Sequence, residues 1–198
     1  MRFDDLIGLA RLSFLDPAQA VRRLRALDLP MSARWMVLAL AVLLSTLLMV
    51  MIVNARPDGV LPLILDVARQ PLLYVAMLYT ALAIGAWVLT TLGRAMGGRA
   101  EFADILLIVA WIEMLLFSMQ LVQSVILLVS PLLSALIGLV AMLLVAVASV
   151  RLIGVLHGFD NLLIVVVLIF ISFIATVFLL SIVVTVLGIA PQLPQVPS

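Results

Sequence analysis

Cysteine is absent from the 198 residues. That excludes disulfides, thiolate metal sites and lipid anchors attached through sulfur. Lysine is absent too: all eleven basic residues are arginine, a bias that reflects genome base composition more than chemistry. Histidine occurs once, so a metal site lacks ligands, and neither metal nor cofactor is expected. Charged residues make up only 11% of the chain, and a net charge of +1 gives no general attraction to nucleic acid. No phosphate-cradling glycine loop, nucleophile elbow, HExxH run or paired acid–base motif is present. No catalytic residue is therefore assigned, and an enzyme is not expected.

What is present is apolar surface. Hydrophobic residues account for 67% of the chain and the mean hydropathy is +1.41. A soluble domain is roughly half apolar and about a quarter charged, so the solvent here must be lipid. The first apolar run starts near Trp35, after a charged segment of more than thirty residues, an arrangement unlike a cleavable signal peptide.

Residues 1–31 form the most polar part. Phe3, Leu6, Ile7, Ala10 and Phe14 recur at helical spacing, with Asp4, Asp5 and Arg11 off that stripe. Asp16-Pro17 reads as an N-cap followed by proline at the first helical position. A second amphipathic helix follows, with Ala20, Val21, Leu24 and Leu27 on one side and Gln19, Arg22 and Arg23 on another. Two readings of this segment stand side by side: helices lying on a membrane surface that carries anionic lipid, or a cytoplasmic flap packed on its own bundle.

Beyond it the pattern predicts an all-α integral membrane bundle over residues 32–190, with spans at about 33–53, 72–92, 102–129, 132–156 and 162–188. Ser32 would cap the first span, and Trp35 and Tyr74 would anchor at interfaces. A short interfacial helix is expected at Pro62 to Arg69. Ser130-Pro131 splits a run otherwise too long for one crossing of ~20 residues. Ala81 and Gly85 in the second span, and Ser134, Gly138 and Ala141 in the fourth, are small residues suited to close helix contact. An uncharged, proline-marked tail covers residues 191–198. Nine arginines fall on the side of the N-terminus and two (Arg56 and Arg69) on the other, which predicts a cytoplasmic N-terminus and a periplasmic C-terminus in a cell inner membrane.

Glu113 lies about eight residues inside the third span, roughly 12 Å at 1.5 Å per residue. A charged side chain that deep costs about 2.5–3.5 kcal/mol on insertion scales, so it should face the bundle, a partner or water. Gln120 and Ser124 share its helical face, broken by Phe117, and Gln123 is adjacent. Arg151, on the returning fourth span, is the expected counter-charge. Together Glu113, Gln120, Ser124 and Arg151 form a candidate intramembrane polar site: a proton, cation or headgroup site, or a packing polar that sets helix register. Arg22, Arg23, Arg94, Arg99, His157 and Asp160 form a second candidate set, for headgroups or a partner on the cytoplasmic side. The rival reading there is a solvated turn, with His157 satisfied by backbone or water.

Three stretches carry a family resemblance: Phe14-Leu15-Asp16-Pro17, Gly97-Gly98-Arg99-Ala100-Glu101-Phe102, and Leu156-His157-Gly158-Phe159. In order and spacing the chain resembles a bacterial member of the Ypt-interacting protein (Yip) domain family. The resemblance implies a compact five-helix bundle, and eukaryotic relatives bind Rab-type GTPases and act in vesicle traffic and membrane shaping. The Asp-Leu-Tyr-Gly-Pro and Tyr-Gly-Tyr motifs of those relatives are missing, and Val109-Ala110-Trp111 stands where aromatic-glycine pairs are expected. The GTPase partnership is accordingly not carried over. The leading expectation is a non-enzymatic membrane protein that organises lipid or partner proteins, with membrane lipids, a protein partner or a second copy as partners and no nucleic acid. The alternative is a small transporter, channel or lipid-translocating protein built on Glu113.

Overall fold

The structure, a computed structural model, describes residues 3–55 and 68–186. Among them the chain forms seven helices: α1 (Phe3–Leu15), α2 (Pro17–Arg25), α3 (Met31–Ala55), α4 (Pro71–Ala95), α5 (Phe102–Leu127), α6 (Pro131–His157) and α7 (Leu162–Val186). The last five are each long and apolar enough to cross a membrane, which bears out the all-α class. Most of the expected helix at Pro62 to Arg69, the tail, Arg2 and Arg56 lie outside the described residues.

Local chemistry explains where the helices start and stop. Asp16 caps α2, its carboxylate accepting from the Gln19 N–H at 2.9 Å, with Pro17 in the first turn. Ser130 does the same for α6, accepting from the Leu133 N–H at 3.3 Å. That helix ends on Gly158 at φ 73°, a left-handed backbone that glycine adopts without penalty. Helix α3 starts at Met31, so Ser32 lies inside its first turn, and the Arg34 N–H bonds to the Pro30 carbonyl at 3.2 Å.

Helix α5 is the spine. Every residue from Ile105 to Trp111 is buried, the pattern of a helix apolar all round and packed all round. Helices α3, α4 and α6 all pack on it, and α7 closes against α4 and α6. Small residues permit two of these approaches. A Cβ on Gly85 would lie 3.6 Å from Thr176 Oγ1 of α7, and one on Gly138 of α6 would collide with the Gln123 amide of α5. The part-buried Trp35 ring stands 5.9 Å from both Tyr79 and Phe102, tying α3 to α4 and α5.

The α1–α2 hairpin packs against one end of this bundle, with Leu9, Ala20, Val21 and Leu24 inside the common core. The flap reading of that segment therefore describes its inner face. Its outer face still exposes Leu6, Ile7 and Leu15. Trp111 of α5 donates its indole N–H to Ser13 Oγ at 2.8 Å, and Ser13 in turn donates to the Leu9 carbonyl at 3.0 Å. Asp104 of α5 accepts from Arg25 at 2.6 Å and from Arg34 at 3.0 Å, binding α2 and α3 to one carboxylate. This end of the molecule also gathers the α4–α5 turn and the α6–α7 turn.

Candidate functional site

The half of the bundle away from the hairpin contains a cavity of about 530 Å³. Glu113, Leu116, Met119, Gln120 and Gln123 of α5 form one wall. The others come from Ser45 and Met49 of α3, Tyr74 and Leu78 of α4, and the stretch from Ala135 to Met142 of α6. Glu113 is the innermost α5 residue, about 16 Å along the helix from Phe102. It forms no ion pair among the described residues. Tyr74 is close enough to couple to it electrostatically. Ser45 Oγ also interacts with it, yet lies outside hydrogen-bond geometry and is buried without a partner among the described residues.

This arrangement settles which of the sequence-derived polar residues meet. Glu113 and Gln120 share the cavity. Ser124 lines a smaller adjoining space of about 190 Å³ with Gln120 and Gln123, and its hydroxyl donates to the Leu121 carbonyl at 2.7 Å. Arg151 does not belong with them. It sits exposed at the opposite end of α6, within 3.4 Å of the Phe14 carbonyl, beside Asp16. The expected Glu113–Arg151 pair is absent because the two helices place those residues at different depths. Gln123 is held by α6, its amide donating to the Ser134 carbonyl at 3.3 Å while Ser134 Oγ donates to the Gln123 backbone carbonyl at 3.1 Å. Ser45 and Tyr74 are the residues that periodicity missed. Both lie in spans that carry other hydroxyl groups (Thr46 beside Ser45, Tyr79 and Thr80 after Tyr74), so no sequence signal singles them out.

At the hairpin end the second candidate set divides. Arg22, Arg23, Arg94, Arg99 and Asp160 are exposed, as are Arg11, Arg25 and Arg151. Arg94 Nε is partly engaged, donating to the Ala100 carbonyl at 2.9 Å. His157 leaves the set, because its ring is only 1% exposed and cannot touch a headgroup. Nor do backbone groups satisfy it: neither ring nitrogen has a partner among the described residues. Instead the ring stacks on Phe159 at 5.4 Å and fills a hollow over Gly93 and Gly98, where any Cβ would strike it. Its carbonyl accepts from the Arg99 N–H at 3.1 Å. The glycine turn and the Leu-His-Gly-Phe turn, far apart in sequence, are thus one interlocked unit. Among the described residues no group of three or more His, Cys, Asp or Glu could hold a metal.

The Yip1 domain family model matches residues 11–183, from the last turn of α1 through α2 and the first four long helices into all but the end of α7. No curated protein and no solved structure matches the chain.

Proposed function

The chain belongs to the Yip1 domain family, and from that premise we propose a non-enzymatic protein of a bacterial inner membrane that organises anionic lipid or a partner protein at its hairpin end. In this reading that end faces the cytoplasm and the C-terminus the periplasm. The observation that carries it is the collar of exposed arginines on and around the docked hairpin: Arg11, Arg22, Arg23, Arg94, Arg99 and Arg151, beside the Asp104-paired Arg25. Arginines at such a surface gain about 1 kcal/mol each from an anionic leaflet. Deleting residues 1–31 would be a poor test, since Leu9, Val21 and Leu24 are core residues. Neutralising Arg22→Gln with Arg23→Gln leaves the packing alone. It should lower co-purification of phosphatidylglycerol and cardiolipin severalfold. Unchanged lipid content, with unchanged partner recovery, would rule the reading out.

The cavity at Glu113 favours a second reading, a small transporter, channel or lipid-translocating protein. It requires flux in liposomes that Glu113→Gln abolishes while insertion and helicity persist.

A further inference from the structure

The Glu113 cavity has a polarity that the lipid-organising reading leaves unused. Glu113 stands at the inner end, with the Tyr74 phenol and the buried, unpartnered Ser45 hydroxyl beside it and the amides of Gln120 and Gln123 farther out. The remaining wall is flexible and apolar, with methionines at 49, 119 and 142. Leu116, Leu139 and Met142, which also line the cavity, are exposed on the outer face of the bundle. The cavity therefore opens sideways into the region that lipid tails occupy. Toward the hairpin end the residues beyond Glu113 are buried: Leu38 and Val42 of α3, Ala86 of α4 and Ile105 to Ala110 of α5.

The arrangement is a laterally open cavity with an acid at its inner end. It describes a pocket for a molecule with an apolar body and a compact, hydrogen-bond-donating cation at one end. We propose that this cavity binds an ammonium-bearing amphiphile, the ammonium donating to the Glu113 carboxylate with Tyr74 and Ser45 as supporting partners. Ligand pockets commonly have volumes of about 300–1,000 Å³, and the combination of apolar walls with a few convergent polar groups is their usual make-up. The acid explains the sign of the charge sought: among the described residues no cation of the protein pairs with it, so a ligand supplies one. Ammonium to carboxylate is a charge-assisted contact, stronger than a neutral hydrogen bond, and a low-dielectric site strengthens it further. This inference is independent of the arginine collar.

The same headgroup chemistry is offered by an aminophospholipid and by a soluble alkylamine. The experiment uses the full chain in nanodiscs of phosphatidylglycerol and two probes, phosphatidylethanolamine with matched acyl chains and octylammonium chloride. Retention of each lipid is read by native mass spectrometry after gentle release, and octylammonium binding by calorimetry. Selective retention of phosphatidylethanolamine, falling about tenfold in Glu113→Gln, identifies the lipid as the source. A comparable Glu113-dependent loss of octylammonium binding without lipid selectivity supports the site and identifies a soluble amine. Ala135→Phe, which narrows the cavity from α6 and leaves the acid in place, should reduce binding of whichever probe is recognised. If Glu113→Gln proves unfolded by circular dichroism, Ala135→Phe decides by itself. Equal binding of both probes by wild type and variants, or no binding to wild type, overturns the proposal.

Discussion

Replacing Gly93 by alanine tests the interlocked turns in a way that gives a sign as well as a size. In a helix interior this change normally stabilises by about 0.5–1 kcal/mol, because glycine surrenders more backbone freedom on folding. Here the new methyl would sit 2.6 Å from Nδ1 and from Nε2 of His157, with Cε1 still closer. The ring has little room to retreat, being stacked on Phe159 and 1% exposed, with its own carbonyl held by the Arg99 N–H. Overpacking of this kind costs about 1–3 kcal/mol, so the net expectation is a loss of about 1–2 kcal/mol. In a His157→Ala background the obstruction is gone, and the same substitution should become stabilising. The assay is equilibrium unfolding in mixed dodecylmaltoside and SDS micelles, followed by far-UV circular dichroism, with all four proteins forming a double-mutant cycle. Gly98→Ala supplies an internal control. Its methyl would also lie 2.8 Å from the Gly93 carbonyl oxygen, so removing the histidine should rescue it only in part. A Gly93→Ala effect of the same sign and size in both backgrounds would refute the interlock.

Other consequences of the geometry are also measurable. Asp104→Asn removes both ion pairs and leaves Arg34, 11% exposed, without its acid. It should cost about 1–3 kcal/mol and speed hydrogen exchange in α2, whereas Arg25→Gln, at a side chain 47% exposed, should cost under about 1 kcal/mol. Equal losses would show that the carboxylate does not bridge the two helices. Ser13→Ala strands the buried Trp111 N–H and should cost about 1–3 kcal/mol, while adding Trp111→Phe should recover much of that loss. Failure of the second change to rescue the first would mean that the hydroxyl matters for some other reason. Because the chain has no cysteine, single cysteines can report topology without background. A cysteine at Asp160 should be shielded from an impermeant maleimide in intact cells and one at Gln70 labelled, and the reverse pattern would invert the proposed orientation.

How much of this was legible beforehand differs from one feature to the next. The capping residues Asp16 and Ser130 work through atoms three positions away, so their roles could be read directly from the chain. Glu113 and Gln120 were also readable as a pair, since one helix carries both. Arg151 was misplaced because helical spacing gives the angle of a residue on its own helix and not its depth against a neighbour. By sequence Asp104 is simply an acid in the first turn of α5. Only the docking of α2 and α3 beside it shows that it joins two segments. His157 and its glycines are separated by about sixty residues, and no local rule links a ring to a hollow that another turn provides.

Lipid solvent, five long apolar helices and a basic, amphipathic N-terminal segment followed from the sequence alone. Hydropathy, charge count and helix periodicity act residue by residue and depend little on what packs where. Tertiary structure decided the rest. It turned the N-terminal segment inward, assigned Arg151 to the hairpin end and buried His157 beneath two glycines. It also opened the space beside Glu113 that Ser45 and Tyr74 complete. Those outcomes depend on the relative depth and rotation of separate helices, set by how small residues such as Gly85 and Gly138 let their neighbours approach.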